Sequence, residues 1–267
     1  MGEAYRYHAS TTGVWGHITE PFNEIIPVQA SLSLPGTGGF ATARVERFDF
    51  HGIVQFESLE ALVSGSRGKG SYDSTATVTI TGLNILNLVT ADRVVARIAA
   101  ENPEDRNKPP FITPLGSYFQ NLRIAGCPVD LKLDTGKFHG LDTDRSTDEA
   151  RQKNKSLQQA FAGLAEGRAH VKDYLRKCFG WLEAEAEQPR GVTTCSLVSR
   201  IEESEKLPEE MRPIGHVIPV RGFGFIRLAE FRITDTTRTI TMLQVDLGSS
   251  PSGSTSTGGA SGGGSDG

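Results

Sequence analysis

The chain reads as mainly β, a β-sandwich or jelly-roll-like set of antiparallel sheets, and three observations carry that expectation. Residues 1 to about 135 are filled with Val, Ile, Thr, Phe and Ala in alternation between Gly, Pro, Asn and Ser punctuation. Two further alternating stretches lie at 220 to 234 and 237 to 247. Only one block, 141 to 190, has helical rather than alternating spacing. About ten strands are expected in one domain spanning 1 to 247, with a two-helix insertion and a flexible tail over 248 to 267.

The elements follow in order. Phe40, Thr42, Arg44, Glu46, Phe48 and Phe50 take one side of a strand, and Ala41, Ala43, Val45 and Arg47 the other. His51-Gly52 marks a turn into a strand over 53 to 63, and the Gly-rich Arg67 to Ser71 suits a hairpin connection. In the next strand Ala76, Val78 and Ile80 alternate with Thr75, Thr77, Thr79 and Thr81, giving one apolar and one hydroxylated face. A strand over 94 to 100 leads to a Pro-rich loop at 102 to 114, and a hairpin about Gly126-Cys127 follows.

Ser146 with Glu149 offers a capping box, and Leu157, Phe161 and Leu164 then recur at helical spacing. Val171, Tyr174, Leu175, Cys178, Phe179 and Leu182 line a second stripe that Pro189 stops. Two amphipathic helices, at about 147 to 165 and 168 to 187, are expected to dock on the β body. Past residue 191, one strand precedes an acidic loop at 202 to 213. In the two closing strands Phe223, Phe225, Arg227, Ala229, Phe231 and Ile233 share a face, and Ile240, Met242, Gln244 and Asp246 oppose Thr241, Leu243, Val245 and Leu247. The Gly/Ser-rich stretch from Gly248 offers too little apolar area to repay ordering.

A net charge of -4 argues against an electrostatic nucleic-acid footprint or a polybasic membrane surface. No stretch approaches 18 uninterrupted apolar residues, so no membrane insertion is expected. The opening residues carry no secretory signal pattern, which makes a cytoplasmic location the default and leaves a surface or extracellular one open. Cys127, Cys178 and Cys195 are odd in number and form no CxxC pair, which excludes a disulfide scaffold and a cysteine zinc cluster.

Motifs for chemistry are sparse. Gly36-Thr37-Gly38-Gly39 and Gly222-Phe223-Gly224 are not phosphate loops and read as turns and close strand contacts. The GxSxG match around Ser261 lies in the tail, where no strained elbow is held. Asn154-Lys155-Ser156 fits a glycosylation sequon within an expected helix. Asp142, Asp144 and Asp148 have DxD character, but Thr147 and Lys153 stand where a calcium loop needs Gly and Glu. His8, His17, His51, His139, His170 and His216 form no HxH or HExxH motif. His51 with Asp49 and His139 with Asp142 are the nearest base-and-orienter pairs, without a nucleophile. No catalytic, cofactor or metal residue is therefore assigned.

The Thr-rich 74 to 99, the segment GSYFQNLRIAGCPV at 116 to 129 and the closing 220 to 249 resemble bacterial choice-of-anchor P proteins. That resemblance implies a repetitive β-structure attached to or exposed on a cell surface, and it brings no catalytic residues.

Two functions are expected. The first is a non-catalytic structural or interaction protein, self-assembling or binding a protein partner through sheet faces or edges, with the Thr-rich strands and with Arg93, Arg97 and Arg123 on a binding face. The second is a carbohydrate-active enzyme or carbohydrate-binding module. It would draw on Asp49, Glu57, Asp92, Glu101 and Glu230 as carboxylates, or on Trp15, Tyr72 and Trp181 as an aromatic platform.

Overall fold

The computed structural model describes residues 5–18, 23–105, 108, 110–136, 193–202, 207–221, 223–234, 237–247 and 254–265, the last as backbone only. They are mainly β, in antiparallel sheets. The strands are β1 (Arg6–Ile18), β2 (Glu24–Ile26), β3 (Leu32–Ser33), β4 (Gly39–Phe50), β5 (Val54–Arg67), β6 (Ser71–Ile85), β7 (Val89–Pro103), β8 (Phe111–Thr113) and β9 (Tyr118–Gln120). They continue as β10 (Arg123–Ile124), β11 (Cys127–Pro128), β12 (Asp130–Leu133), β13 (Thr193–Ser196), β14 (Val198–Glu202), β15 (Val217–Val220), β16 (Gly224–Ile233), β17 (Arg238–Leu247) and β18 (Ser254–Ser265). Several are only two or three residues long, which is why alternation alone suggests about ten.

One large sheet runs β13-β16-β17-β18-β1-β2, with β15 on β16 and β3 on β1. The other runs β11-β10-β7-β6-β5-β4, with β8 and β9 on β7, and β12 pairs β14 separately. β1 lies against β5 and β6, and β17 against β7, so both large sheets contribute to one hydrophobic cluster from Tyr7 to Val245. The expected two-helix insertion at about 146 to 190 lies outside the described residues.

The long hairpins follow from turn chemistry. His51 (φ 51) and Gly52 (φ 70) turn β4 into β5, and Ile53 N–H donates to the Phe50 carbonyl at 2.8 Å. Leu86 (φ 53) with Asn87 (φ 54) and Ala125 (φ 49) with Gly126 (φ 78) repeat that double positive φ between β6 and β7 and between β10 and β11. Paired positive φ matches the right-handed twist of the strands that such turns join.

The sequence-based assignment of strand faces is corrected at one level. Buried side chains keep a two-residue period along each strand, then slip by one. The buried set runs Tyr7, Ala9, Thr11 and then Val14 in β1; Phe56 and then Leu59 in β5; Ile80 and then Leu83 in β6; Ala91 and then Val94 in β7. In β16 it steps from Leu228 to Phe231, and in β17 from Met242 to Leu243. Consequently Phe48 and Phe50 join Ala41 and Val45 against the core, leaving Phe40, Thr42, Arg44 and Glu46 on the other face. Phe231 and Ile233 part from Phe225 and Arg227, and Ile240 and Met242 are buried together with Leu243 and Val245.

The slips are aligned. Pairing is interrupted between Glu46↔Ser58 and Phe48↔Phe56, between Ser58↔Thr81 and Gln55↔Asn84, and between Thr81↔Arg93 and Leu83↔Ala91, with the register unchanged on either side. Arg47, Glu57, Gly82 and Asp92 thus form one line across four strands. The other sheet breaks between Leu228↔Leu243 and Glu230↔Thr241, and on through β18 to Thr12↔Gly259 and Val14↔Thr257. Arg47 (φ 53), Gly82 (φ 65) and Ala229 (φ 49) supply the left-handed backbone that reverses the parity. At Ala229 the break is tied down: Leu197 N–H donates to the Ala229 carbonyl at 2.8 Å, and Ser196 Oγ–H donates to the Leu228 carbonyl at 2.6 Å.

A second correction concerns the chain's end. The stretch expected to be flexible over 248 to 267 forms β18 from Ser254, between β1 and β17. The two flanking strands each offer a row of main-chain donors and acceptors, so its pairing needs no apolar side chain.

Two substitutions test the break. A Cβ on Gly13 would stand 2.5 Å from Leu59 Cδ1 and 2.7 Å from the Gln29 carbonyl oxygen. Gly13→Ala should therefore cost about 2–3 kcal/mol in urea unfolding, as overpacking against backbone does. At Arg47, relief of the left-handed strain predicts that Arg47→Gly keeps stability or raises it by up to about 1 kcal/mol, whereas Arg47→Val lowers it by about 1–2 kcal/mol.

Candidate functional site

Two surfaces stand out above the core. The outer face of β4 to β7 forms a lattice in register. Thr42, Leu62, Thr77 and Arg97 make one cross-strand row, and Arg44, Glu60, Thr79, Val95 and Tyr118 make the next. Glu46, Ser58, Thr81, Arg93 and Gln120 form a third. The hydroxylated strand expected at 75 to 81 is therefore the midline of a broad polar face, and Arg93 and Arg97 lie on it. Arg123, on β10, lies beyond these rows. Arg44 bridges Glu46 at 2.9 Å and Glu60 at 3.5 Å, but these side chains are more than half exposed and hold each other weakly.

That face ends at β4, which pairs with β5 on one side and with no strand on the other among the described residues. None of its twelve residues is buried. Phe40 is 77% exposed, Leu62 next to the edge 40%, and Tyr118 at the far margin 40%. A long edge of unpaired main-chain groups with apolar side chains is a template for strand addition.

The second feature is a polar cluster on the other sheet, on the face of β16 and β17 turned away from the core. His216, just before β15, meets Glu230 Oε1 through Nε2 at 3.1 Å; Arg227 Nη1 lies 3.8 Å from the same oxygen. Arg227 also donates to Asp246 Oδ2 from Nη2 at 2.8 Å and from Nε at 3.2 Å, and Gln244 donates to Asp246 Oδ1. The His216 and Glu230 side chains are only 5% and 12% exposed. Burial pushes the Glu230 carboxyl up, but the His216 hydrogen bond and the charges of His216 and Arg227 more than offset this and leave it below its ordinary value. A carboxylate held low in this way stays ionised near neutrality and is a poor proton shuttle.

Glu230 is thus the one carboxylate, of the five weighed from sequence, that the structure places in a cluster. Asp49 caps the β4–β5 hairpin, accepting from Gly52 N–H and from Gln55 Nε2, each at 2.7 Å, and these bonds hold its carboxyl low. Asp92 accepts from Asn121, while Glu57 and Glu101 are exposed on β5 and β7. These four lie on one sheet and Glu230 on the other. His51 Nε2 meets Glu24 Oε2 at 2.8 Å, and its charge is the least of the influences on the Asp49 carboxyl.

Of the aromatic candidates, the two among the described residues lie on different sheets. Trp15 is exposed on β1. Tyr72 stacks on Tyr5 at 4.1 Å, beside the edge-on Tyr7, with the Arg67 guanidinium 5.7 Å above its ring. Gly38 and Gly65 leave room for the Tyr7 ring, the close strand contact expected of that Gly-rich loop. Trp181, His139, His170, Cys178, the Asp142–Asp144–Asp148 set and the Asn154 sequon lie outside the described residues. Among the described residues no group of three His, Cys, Asp or Glu is placed to hold a metal, no disulfide joins Cys127 and Cys195, and no helix is long and apolar enough to cross a membrane.

Sequence reasoning missed His216, Arg227 and Asp246 as companions of Glu230. The only signal was the run of charges at 227, 230 and 232, whose common face becomes visible once the slip at Ala229 is known.

A family model, Domain of unknown function (DUF8256), matches residues 5–234. No curated protein and no solved structure matches the chain.

The cluster generates a pH prediction. Because the folded Glu230 carboxyl titrates below the unfolded one, its contribution is complete above the ordinary Glu value near 4.3 and is lost as pH falls through the lower folded value. Glu230→Gln should cost about 2–3 kcal/mol at pH 7 and flatten the loss of stability below about pH 4.5, measured by urea unfolding across pH.

Proposed function

We propose that this chain, which belongs to the DUF8256 family, is a non-catalytic structural or interaction protein that assembles with protein partners, itself included, through the face and edge of the β4–β7 sheet. The two large sheets serve as the layers of a β-sandwich-like scaffold around the shared core. The observation that carries this reading is the open β4 edge, twelve residues without one buried side chain, continuous with the Thr-lined face. Association at that edge would add main-chain hydrogen bonds, and Phe40 and Leu62 would supply apolar contact. Placement at a cell surface accompanies this proposal from the resemblance to choice-of-anchor P proteins.

A second reading, an enzyme or binding module for carbohydrate or another polar substrate, is favoured by one observation, the His216–Glu230 pair with Arg227 and Asp246. It would need that cluster to open to a substrate. In the closed arrangement the four groups satisfy one another.

Light scattering across a concentration series tests the main proposal. Self-association is expected, with Phe40→Asp combined with Leu62→Asp weakening it at least about tenfold, since burying either carboxylate at a contact is costly. A wild-type chain that stays monomeric throughout and binds no partner on that face would overturn it.

A further inference from the structure

The outer face of the β4–β7 sheet carries both signs of charge and keeps them apart. On the β4–β5 half, Glu46 and Glu60 are exposed, and their ion-pair partner among the described residues is Arg44, at 2.9 and 3.5 Å. On β7, Arg93 and Arg97 are exposed, and neither has an ion-pair partner among the described residues. Glu46 and Arg93 stand at opposite ends of one cross-strand row, Glu46, Ser58, Thr81 and Arg93. Three strand spacings separate them, about 14 Å, too far for a bond within the chain.

Between these margins the face is largely uncharged. Ser58 and Leu62 on β5 adjoin Thr81 and Thr77 on β6, and Glu60 is the exception among them. Leu62 is 40% exposed although it lies one strand in from the edge. A partner of one sign would be attracted to one margin and repelled at the other. A second copy of the chain matches both. A half turn about an axis that runs along the strands, between β5 and β6, lays β4 of each copy over β7 of the other and β5 over β6. A closed two-fold allows no translation along its axis, so each row lies over its own counterpart. Glu46 then faces Arg93 of the second copy, and the same pair recurs across the axis. In the row of Thr42, Leu62, Thr77 and Arg97, Leu62 lies over Thr77 of the second copy, which covers its exposed surface. Glu60 keeps Arg44 beside it. Stacked sheets lie about 10 Å apart, a span that extended Glu and Arg side chains bridge together.

We infer that this face is a self-complementary docking surface for a second copy of the chain, with Glu46 of each copy paired to Arg93 of the other across a two-fold axis. The inference rests on the self-association reading above, and it stacks sheet on sheet. Strand addition at the β4 edge would set the sheets side by side and leave Arg93, three strands away, outside the contact.

Charge exchange in the full chain tests the pairing. Glu46→Arg sets Arg against Arg at both contacts, and Arg93→Glu sets Glu against Glu. Each variant alone is therefore expected to self-associate at least about tenfold more weakly than the wild type in light scattering, as facing like charges require. An equimolar mixture of the two variants restores opposite charges at both contacts and is expected to regain association at the wild-type level. The neutral variants Glu46→Gln and Arg93→Gln give an independent reading, for each should flatten the fall in wild-type association as salt is raised. A mixture no stronger than its separate components would overturn the inference, as would wild-type association that is indifferent to salt, or a wild type that stays monomeric. If the wild type associates and Phe40→Asp with Leu62→Asp weakens it while the mixture gives no recovery, the two-fold pairing fails and the β4 edge reading stands. If the wild type is monomeric and binds no partner on that face, both fail.

Discussion

The parity slip that crosses both sheets is the constraint on which the other features depend. A strand of twelve to fifteen residues that kept strict alternation would commit every second side chain to the core along its whole length. Here β1, β4, β5, β6, β7, β16 and β17 each reverse their commitment in mid-strand, opposite their neighbours' reversals: at Arg47, Glu57, Gly82 and Asp92 in one sheet, and at Gly13, Met242 and Ala229 in the other. Alignment is obligatory, because cross-strand neighbours share a face. A strand that slipped alone would set its apolar half against its partner's polar half. The cost, left-handed backbone at two non-glycine residues, is met locally by the Ser196 and Leu197 hydrogen bonds at Ala229 and by exposure at Arg47.

Both candidate surfaces are products of that slip. In an unbroken strand Arg227 and Glu230, three apart, would point to opposite faces; the reversal at Ala229 sets them side by side, where His216 and Asp246 complete the cluster. In the other sheet it turns Phe48 and Phe50 toward the core, where Phe48 stacks on Phe56 at 4.9 Å. The outer face of β4 is thereby left to Phe40, Thr42, Arg44 and Glu46. Gly13 belongs to the same system, for its missing side chain lets β1 lie against Leu59 at the level where the strand reverses.

Much of this fold is legible in the amino-acid order. Thr75 to Thr81 opposite Ala76, Val78 and Ile80 announces a two-faced strand, and His51-Gly52 announces its turn, because both signals are local. The reversal is not local. Arg47 and Ala229 have no propensity for left-handed backbone, and only the apolar step from Leu228 to Phe231 hints at it, a step that an alternating template reads as noise. The strand at 254–265 is hidden for a related reason: composition measures the apolar area a segment brings, while β18 is held by main-chain groups of β1 and β17 that composition does not register. Glu230 could be weighed as a carboxylate from sequence, but its His216 partner, fourteen residues earlier, is found only through the pairing of β15 with β16.

The aligned reversal is most directly measured by solution NMR of the backbone. Positive φ at Arg47, Gly82 and Ala229 should appear as strong intraresidue Hα–HN contacts and left-handed carbon shifts. Leu228 and Phe231 should both show contacts to core methyl groups, with Glu230 among neither. Extended shifts at all three residues, with Leu228 and Glu230 contacting the same face, would contradict the account.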